Sequence, residues 1–174
     1  MERSKAKAIL QLERYALFAS PSDLPEPTKR SLIDGLNARL ADGIDLYAIV
    51  KGAHWNLKGP QFAALHPFFE NIASDVSEAN DDLAERAVTL GGKAIGDIRQ
   101  AVAMSVLTPI ATDVVQGIDF VTQLAERVEV YLKGLRATRA VAEGEDDLDT
   151  LDMLTGFITT FEKHGWFLRA TLEK

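Results

Sequence analysis

A chain of 174 residues, with 47% hydrophobic and 26% charged residues, has the size and balance of one globular domain and excludes a disordered protein. The absence of cysteine excludes disulfides, thiol nucleophiles and cysteine metal sites, and it fits a cytoplasmic location. A formal net charge of −7 argues against a general nucleic-acid-binding surface and suits a protein that attracts cations.

The first 27 residues are predicted to be an N-terminal extension and linker. Residues 1–20 mix charged and apolar residues, which is compatible with a short extra helix, and the proline-rich residues 20–27 are typical of a linker. No apolar segment followed by a small-residue cleavage site stands at the start, so we expect no secretory signal. No apolar run reaches the roughly 18 residues of a membrane span.

Two long amphipathic helices are predicted next. Apolar residues at helical spacing run through residues 28–56, and Lys58-Gly59-Pro60 ends that helix. A second stripe predicts a helix that begins between Phe62 and Leu65, because Pro67 is tolerated in a first turn. Gly91-Gly92 closes it. The two stripes consist of Leu32, Leu36, Leu40, Tyr47 and Val50, and of Phe69, Ile72, Val76, Ala79, Leu83 and Val88.

The second half of the chain repeats this pattern after an irregular stretch. Residues 93–109 are predicted to be irregular, with a short helix around residues 98–104. Third and fourth helical stripes run from Val114 to Leu132 and from Leu151 to Phe167, separated by an acidic loop at residues 143–147. The prediction for residues 28–174 is therefore an all-α four-helix bundle. Its long crossover between the second and third helices is found in ferritin-like folds.

Histidines and carboxylates mark a candidate metal site. His54 ends the first helix and His66 opens the second, so the short turn between antiparallel helices should bring them together. Glu70 follows His66 by four residues and shares its helix face, and Asp81 and Glu85 repeat that spacing. At ~1.5 Å per residue, His66 and Asp81 are about 22 Å apart along the axis. One metal ion cannot touch both pairs in one chain.

Two interpretations of this spacing remain. The pairs are either unrelated, with ordinary solvated carboxylates and Arg86 as a salt-bridge partner, or a second subunit completes the site. Two antiparallel copies of the second helix would make two identical sites of imidazole nitrogens and carboxylate oxygens, ligands that suit ferrous iron. The chain contains no Glu-x-x-His sequence, which points away from a di-iron site inside one bundle.

Several spaced motifs resemble the signature of the Dps family. The likeness extends over about residues 28–172 and is carried by AHWNLKGPQF at 53–62, LH at 65–66, DxxAERAxxLGG at 81–92, DTxxMLT at 149–155 and WF at 166–167. It implies a dodecameric hollow shell that oxidises ferrous iron, usually with hydrogen peroxide in preference to dioxygen, and stores the ferric mineral. That activity would protect the cell against oxidative damage.

The resemblance also implies residue roles. His54, His66 and Glu70 would bind iron from one subunit, with Asp81 and Glu85 from its two-fold mate. The family more often has aspartate where Glu70 stands, and Pro67 is not its commonest residue at that position; neither change removes a ligand. Trp55 would intercept oxidising equivalents in addition to packing at a subunit interface.

Two further features have competing interpretations. The carboxylates before the fourth helix, led by Asp149 and Asp152, are either a solvated helix cap or the lining of a pore that attracts ferrous ions. His164 is predicted to be structural. Some Dps relatives bind DNA through a basic N-terminal tail, but this tail has only a weak excess of positive charge, so we expect weak or absent DNA binding and nucleoid association. Its charged residues are Arg3, Lys5, Lys7 and Arg14 against Glu2 and Glu13. A helical bundle without chemistry is the remaining alternative.

Overall fold

The computed structural model describes residues 17–173, and helices account for most of them. We number these helices α1 (Glu26–Asn56), α2 (Phe62–Thr89), α3 (Ile98–Met104), α4 (Gly117–Gly144) and α5 (Leu148–Leu172). Within the described range, strand pairing is limited to an isolated β-bridge between Lys58 and Gln116. The predicted all-α fold is confirmed, including the short helix in the crossover. The predicted N-terminal helix and the basic residues before residue 17 lie outside the described residues.

The predicted apolar stripes form the core of the bundle. α1 packs against α2, α3 and α4, whereas α5 packs mainly against α4 and only lightly against α2. Leu32, Leu36 and Val50 are completely buried, as their spacing predicted. Tyr47 and Val88 are exceptions, because they are 40% and 53% exposed, whereas Leu46, the neighbour of Tyr47, is fully buried. The step of about 100° per residue turns Tyr47 out of the stripe and Leu46 into it.

Contacts at the two ends of the bundle define its topology. At one end, Lys58 N donates to Val115 O at 2.9 Å and Gly117 N donates to Lys58 O at 3.0 Å. At the other end, Thr28 Oγ1 donates to Glu145 Oε2 at 2.7 Å. α4 therefore begins where α2 begins, and residues 90–116 return along the length of the bundle. This is the long crossover that the sequence predicted.

The ends of α2 show how local sequence sets the helix boundaries. The helix begins at Phe62, the earliest residue of the predicted range, which places Pro67 in the second turn rather than the first. The missing proline N–H leaves the carbonyl of Ala63 without its helical donor, and Ala63 is exposed, so water can replace that donor. Gly91 ends the turn after α2 with a φ of 94°, a left-handed conformation that favours glycine.

The linker before α1 crosses this same end of α2. Phe18 N donates to Gly91 O at 2.8 Å, and Ser20 Oγ donates to Thr89 O at 2.7 Å. A Cβ atom at Gly91 would lie 2.6 Å from Phe18 O, so the close approach of the linker also requires glycine. None of the helices described in residues 17–173 is long and apolar enough to span a membrane.

Candidate metal centre at the turn between α1 and α2

The short turn between α1 and α2 brings His54 and His66 into direct contact, as its length predicted. Their rings are stacked, with centroids 3.7 Å apart and an interplanar angle of 25°. His54 Nδ1 lies 2.8 Å from His66 O, and His66 Nδ1 lies 3.0 Å from His54 O. Each histidine is therefore oriented by the backbone of the other.

These reciprocal contacts determine which ring nitrogen is available. A carbonyl oxygen can only accept a hydrogen bond, so the Nδ1 atom must donate in both histidines. In the neutral rings, Nε2 of His54 and of His66 then carries the lone pair. Metal-binding histidines commonly donate their other ring N–H to a backbone carbonyl in this way, which raises the basicity of the ligating nitrogen. Both side chains are held ready to bind a metal through Nε2.

Glu70 supplies a carboxylate directly opposite His54. Its Oε2 atom lies 3.3 Å from His54 Nε2, and both atoms are acceptors when the imidazole is neutral. Only a proton or another cation between them makes this approach favourable. If a metal were bonded to both atoms at about 2.1 Å, the angle between the two bonds would be about 104°. This angle lies close to the tetrahedral value and not far from the octahedral one.

Lys51 is a member of the site that the sequence analysis missed. Its Nζ atom lies 2.5 Å from Glu70 Oε2, and the hydrogen bond from Lys51 is the main cause of a lowered pKa for Glu70. The side chain is 15% exposed, against 47% for Glu70, so the lysine is the better-held partner. Lys51 lies three residues before His54 on α1, and this i,i+3 spacing is the signal that could have identified it.

Exposed aromatic rings surround this cluster. Trp55 is 70% exposed and Phe62 is 46% exposed. The Lys51 Nζ atom lies 5.6 Å from the centroid of the Trp55 ring, and the Phe62 ring stacks on His66 with centroids 4.9 Å apart. Large exposed rings beside polar groups are typical of a surface that contacts another protein.

Asp81 and Glu85 lie far from this cluster. Both are exposed on α2, and because α2 is one continuous helix, the separation of about 22 Å along its axis holds. Arg86 is not their salt-bridge partner, because its Nη2 atom pairs with Asp147 at 2.7 Å and its Nε donates to Thr150 Oγ1 at 2.8 Å. The predicted pairing of Arg86 with these carboxylates is therefore wrong.

A single subunit does not assemble a complete site. In the described part of the chain, no three histidine, aspartate or glutamate side chains converge closely enough to hold a metal ion. The cluster at the turn therefore presents two facing ligand atoms, His54 Nε2 and Glu70 Oε2, and the second pair of carboxylates is at the far end of the same helix.

The interior of the bundle contains a buried ion pair, Arg39 and Asp42. Arg39 Nη2 lies 3.0 Å from the buried Asp42 Oδ2, and burial raises the pKa of Asp42 despite this neighbour. Asn80 and the fully buried Tyr131 face the backbone of Gly43 beside this pair, and burial raises the pKa of Tyr131. A guanidinium group repels metal cations, so the centre of the bundle is not suited to a di-iron site.

Comparison with known proteins identifies the family. Residues 33–174 match the ferritin-like domain family. The DNA protection during starvation protein of Agrobacterium fabrum is 34% identical over 88% of this chain and 94% of that protein. The chain belongs to the Dps family.

Solved Dps structures share its fold over nearly the whole length. DpsC from Streptomyces coelicolor superposes with a TM-score of 0.87 at 28% identity, covering 91% of this chain and 93% of that one. A Dps protein from Vibrio cholerae O1, described as a member of the superfamily of ferritin-like diiron-carboxylate proteins, gives a TM-score of 0.85 at 27% identity, with coverage of 91% and 99%.

The remaining residues singled out in this Dps chain lie near α5. Asp149 and Asp152 are exposed in its first turns but face different depressions: Asp149 lies with Asp23 and Asp146, and Asp152 lies in the groove between α2 and α5. His164 is buried, and its Nε2 atom contacts Asp75 Oδ2 at 2.5 Å. This link between α5 and α2 fits the structural role predicted for His164.

Proposed function

We propose that this Dps chain forms a cage that oxidises ferrous iron at sites shared between two subunits and stores the ferric product. Family membership supports a general role in iron storage and protection. The observation that carries the proposal is that His54 Nε2 and Glu70 Oε2 face each other at 3.3 Å while Nδ1 of His54 is already engaged by a backbone carbonyl. This arrangement offers a metal two ligands.

The second half of the site would come from a two-fold mate. Asp81 and Glu85 are exposed, lie on the same continuous helix as His66 and Glu70, and do not engage Arg86. Antiparallel packing of two α2 helices would place them opposite the histidines of the partner subunit and create two identical sites. The exposed rings of Trp55 and Phe62 would be covered by that contact. A dodecamer in the cytoplasm is the assembly that we expect from the family.

The proposed ligands suit oxidation of iron as a substrate. Carboxylate oxygens favour the more highly charged ferric ion over the ferrous ion, because Coulomb stabilisation grows with the charge of the metal. Imidazole nitrogens retain affinity for ferrous iron. With hydrogen peroxide, two ferrous ions each lose one electron, and the peroxide takes up two electrons and two protons to leave as two water molecules. We propose peroxide as the oxidant.

The test separates binding from oxidation. Ferrous iron is titrated anaerobically into the assembled protein, hydrogen peroxide is then added, and ferric product is followed by absorbance. A His54→Ala/His66→Ala variant should lose binding and rapid oxidation, whereas the matched control His164→Ala, which removes the third histidine of the chain, should retain both. Normal iron oxidation by the double variant, in particles of unchanged size, would show that His54 and His66 do not form the oxidation site.

A further inference from the structure

We propose that Lys51 is a resident cation of the metal centre, which holds Glu70 in its ligating position until an incoming metal ion displaces the ammonium group. The inference rests on the proposed function, because it assumes that Glu70 binds the metal. It adds a residue that competes with the metal for one carboxylate oxygen and so sets the affinity of the site.

The competition follows from the sharing of one atom. Glu70 Oε2 lies 2.5 Å from Lys51 Nζ and 3.3 Å from His54 Nε2. A metal bound to that oxygen at about 2.1 Å would stand no more than about 4.6 Å from the ammonium nitrogen if the lysine stayed in place. A divalent ion and an ammonium group at that separation repel each other strongly. Metal binding therefore drives Lys51 away from Glu70.

A second partner is available to the displaced ammonium group. Trp55 follows Lys51 by four residues on α1, so the two side chains share a helix face. The Nζ atom already lies 5.6 Å from the centroid of the Trp55 ring, within the range of a cation–π interaction. The ammonium group can therefore keep the Trp55 ring as a partner when it leaves Glu70.

The lysine explains how a half-exposed glutamate is kept in place. Glu70 is 47% exposed, and without a partner its long side chain would sample many rotamers. The ammonium group orders the Glu70 carboxylate, and it supplies the positive charge that the metal ion would otherwise supply beside that carboxylate. The consequence is a threshold: a weakly binding monovalent cation does not displace Lys51, whereas a divalent ion with imidazole and carboxylate ligands does.

The experiment uses zinc as a probe without redox chemistry. Zinc affinity is measured by calorimetry on the assembled wild-type, Lys51→Met, Lys51→Arg and Lys133→Met proteins. Methionine keeps the length of the side chain without the charge, and Lys51→Met should bind zinc roughly three- to tenfold more tightly. Lys51→Arg should bind no more tightly than wild type, and the exposed Lys133→Met control should match wild type.

A spectroscopic readout tests the movement itself. The chain has two tryptophans, so a Trp166→Phe background leaves Trp55 as the reporter. Zinc should change Trp55 emission when Lys51 is present and leave it nearly unchanged in Lys51→Met. Unchanged or weaker zinc binding by Lys51→Met, or an emission change that persists without the lysine, would overturn the inference. If wild type and His54→Ala/His66→Ala bind zinc equally, the proposed site itself fails.

Discussion

Arg86 Nη2 binds Asp147 Oδ1 at 2.7 Å, and this contact decides how Asp81 and Glu85, which precede Arg86 on α2, are interpreted. A guanidinium group turned toward α5 cannot also neutralise Asp81 or Glu85. These exposed carboxylates are therefore free to meet a cation supplied from outside the subunit. The ion pair at the far end of the bundle therefore leaves Asp81 and Glu85 available for the shared metal site that we propose.

Complementation between inactive subunits tests this sharing. We expect His54→Ala/His66→Ala and Asp81→Asn/Glu85→Gln variants each to be inactive in iron oxidation when assembled alone. In a mixed dimer, one site loses both ligand sets and the other keeps both. Co-assembly at equal amounts should therefore restore about a quarter of wild-type activity, because half of random dimers are mixed and each has one intact site.

The control for that experiment is co-assembly of each double variant with itself under the same conditions. Oxidation rates are measured after peroxide addition, with particle size checked in the same preparation. Mixed particles that remain inactive, although both subunits are present in them, would show that Asp81 and Glu85 do not complete the site of a neighbouring subunit.

Trp55 should affect protection more than iron uptake. Its indole is 70% exposed and is linked to the centre through Lys51, yet it offers no ligand for iron. We expect Trp55→Phe to take up iron at a rate within about twofold of wild type and to release more hydroxyl radicals, measured by spin trapping during peroxide turnover. Trp166→Phe is the matched control. Equal radical yields from wild type and Trp55→Phe would show that Trp55 does not intercept oxidising equivalents.

Much of the fold was predictable because helical periodicity is a local signal. Leu32 and Leu36 mark the buried face of α1. The contact between His54 and His66 could be predicted from the short turn at residues 58–60 alone, without knowledge of the tertiary structure. The start of α4 was predicted less accurately. Val114 belongs to the apolar stripe, but the helix begins at Gly117, directly after Gln116, which forms the isolated bridge with Lys58. Pairing with a distant segment is not visible in the stripe.

The partners of charged residues could not be predicted, because tertiary packing selects them. Arg86 has acidic neighbours on its own helix but pairs with Asp147. Lys51 contacts Glu70 only because α1 and α2 pack together. The buried Arg39–Asp42 pair has the same origin. Helix spacing predicts which side chains share a face, whereas the choice among several partners depends on the neighbouring helix.

Asp147 should make stability depend on pH in the acidic range. Burial alone would raise the pKa of Asp147, but hydrogen bonds from Thr150 and Arg86 outweigh it and lower the pKa. A lowered folded-state pKa gives stability that is complete above the unfolded value, about 3.9, and that is lost as the pH falls through the folded-state value. We expect Asp147→Asn to lose about 1–2 kcal/mol at neutral pH.

The same variant provides the check on the sign. In urea unfolding at fixed protein concentration, the stability difference between wild type and Asp147→Asn should narrow as the pH falls below about 3.9. Asp149→Asn, an exposed carboxylate on the same helix end, should change stability less at every pH. A difference that stays constant into the acidic range would mean that the carboxylate charge of Asp147 contributes nothing.

Separate substitutions of Asp149 and Asp152 test whether either surface of α5 lines a pore for iron. Asp149 lies beside Asp23 and Asp146, whereas Asp152 shares the α2–α5 groove with Asp75, so one pore need not include both. Removing a pore carboxylate weakens the field that concentrates ferrous ions. We therefore expect a roughly threefold slower initial uptake at low salt, with a smaller difference at high salt because ions screen that field.

The equilibrium behaviour of the same variants separates transport from binding. Anaerobic ferrous affinity at the His54 centre should stay at the wild-type value, because a pore changes the rate of arrival and not the final occupancy. Asp119→Asn, exposed in the first turn of α4, controls for the loss of one negative charge and should leave uptake unchanged. If neither Asp149→Asn nor Asp152→Asn slows uptake relative to this control, the acidic start of α5 acts as a helix cap and iron reaches the centre by another route.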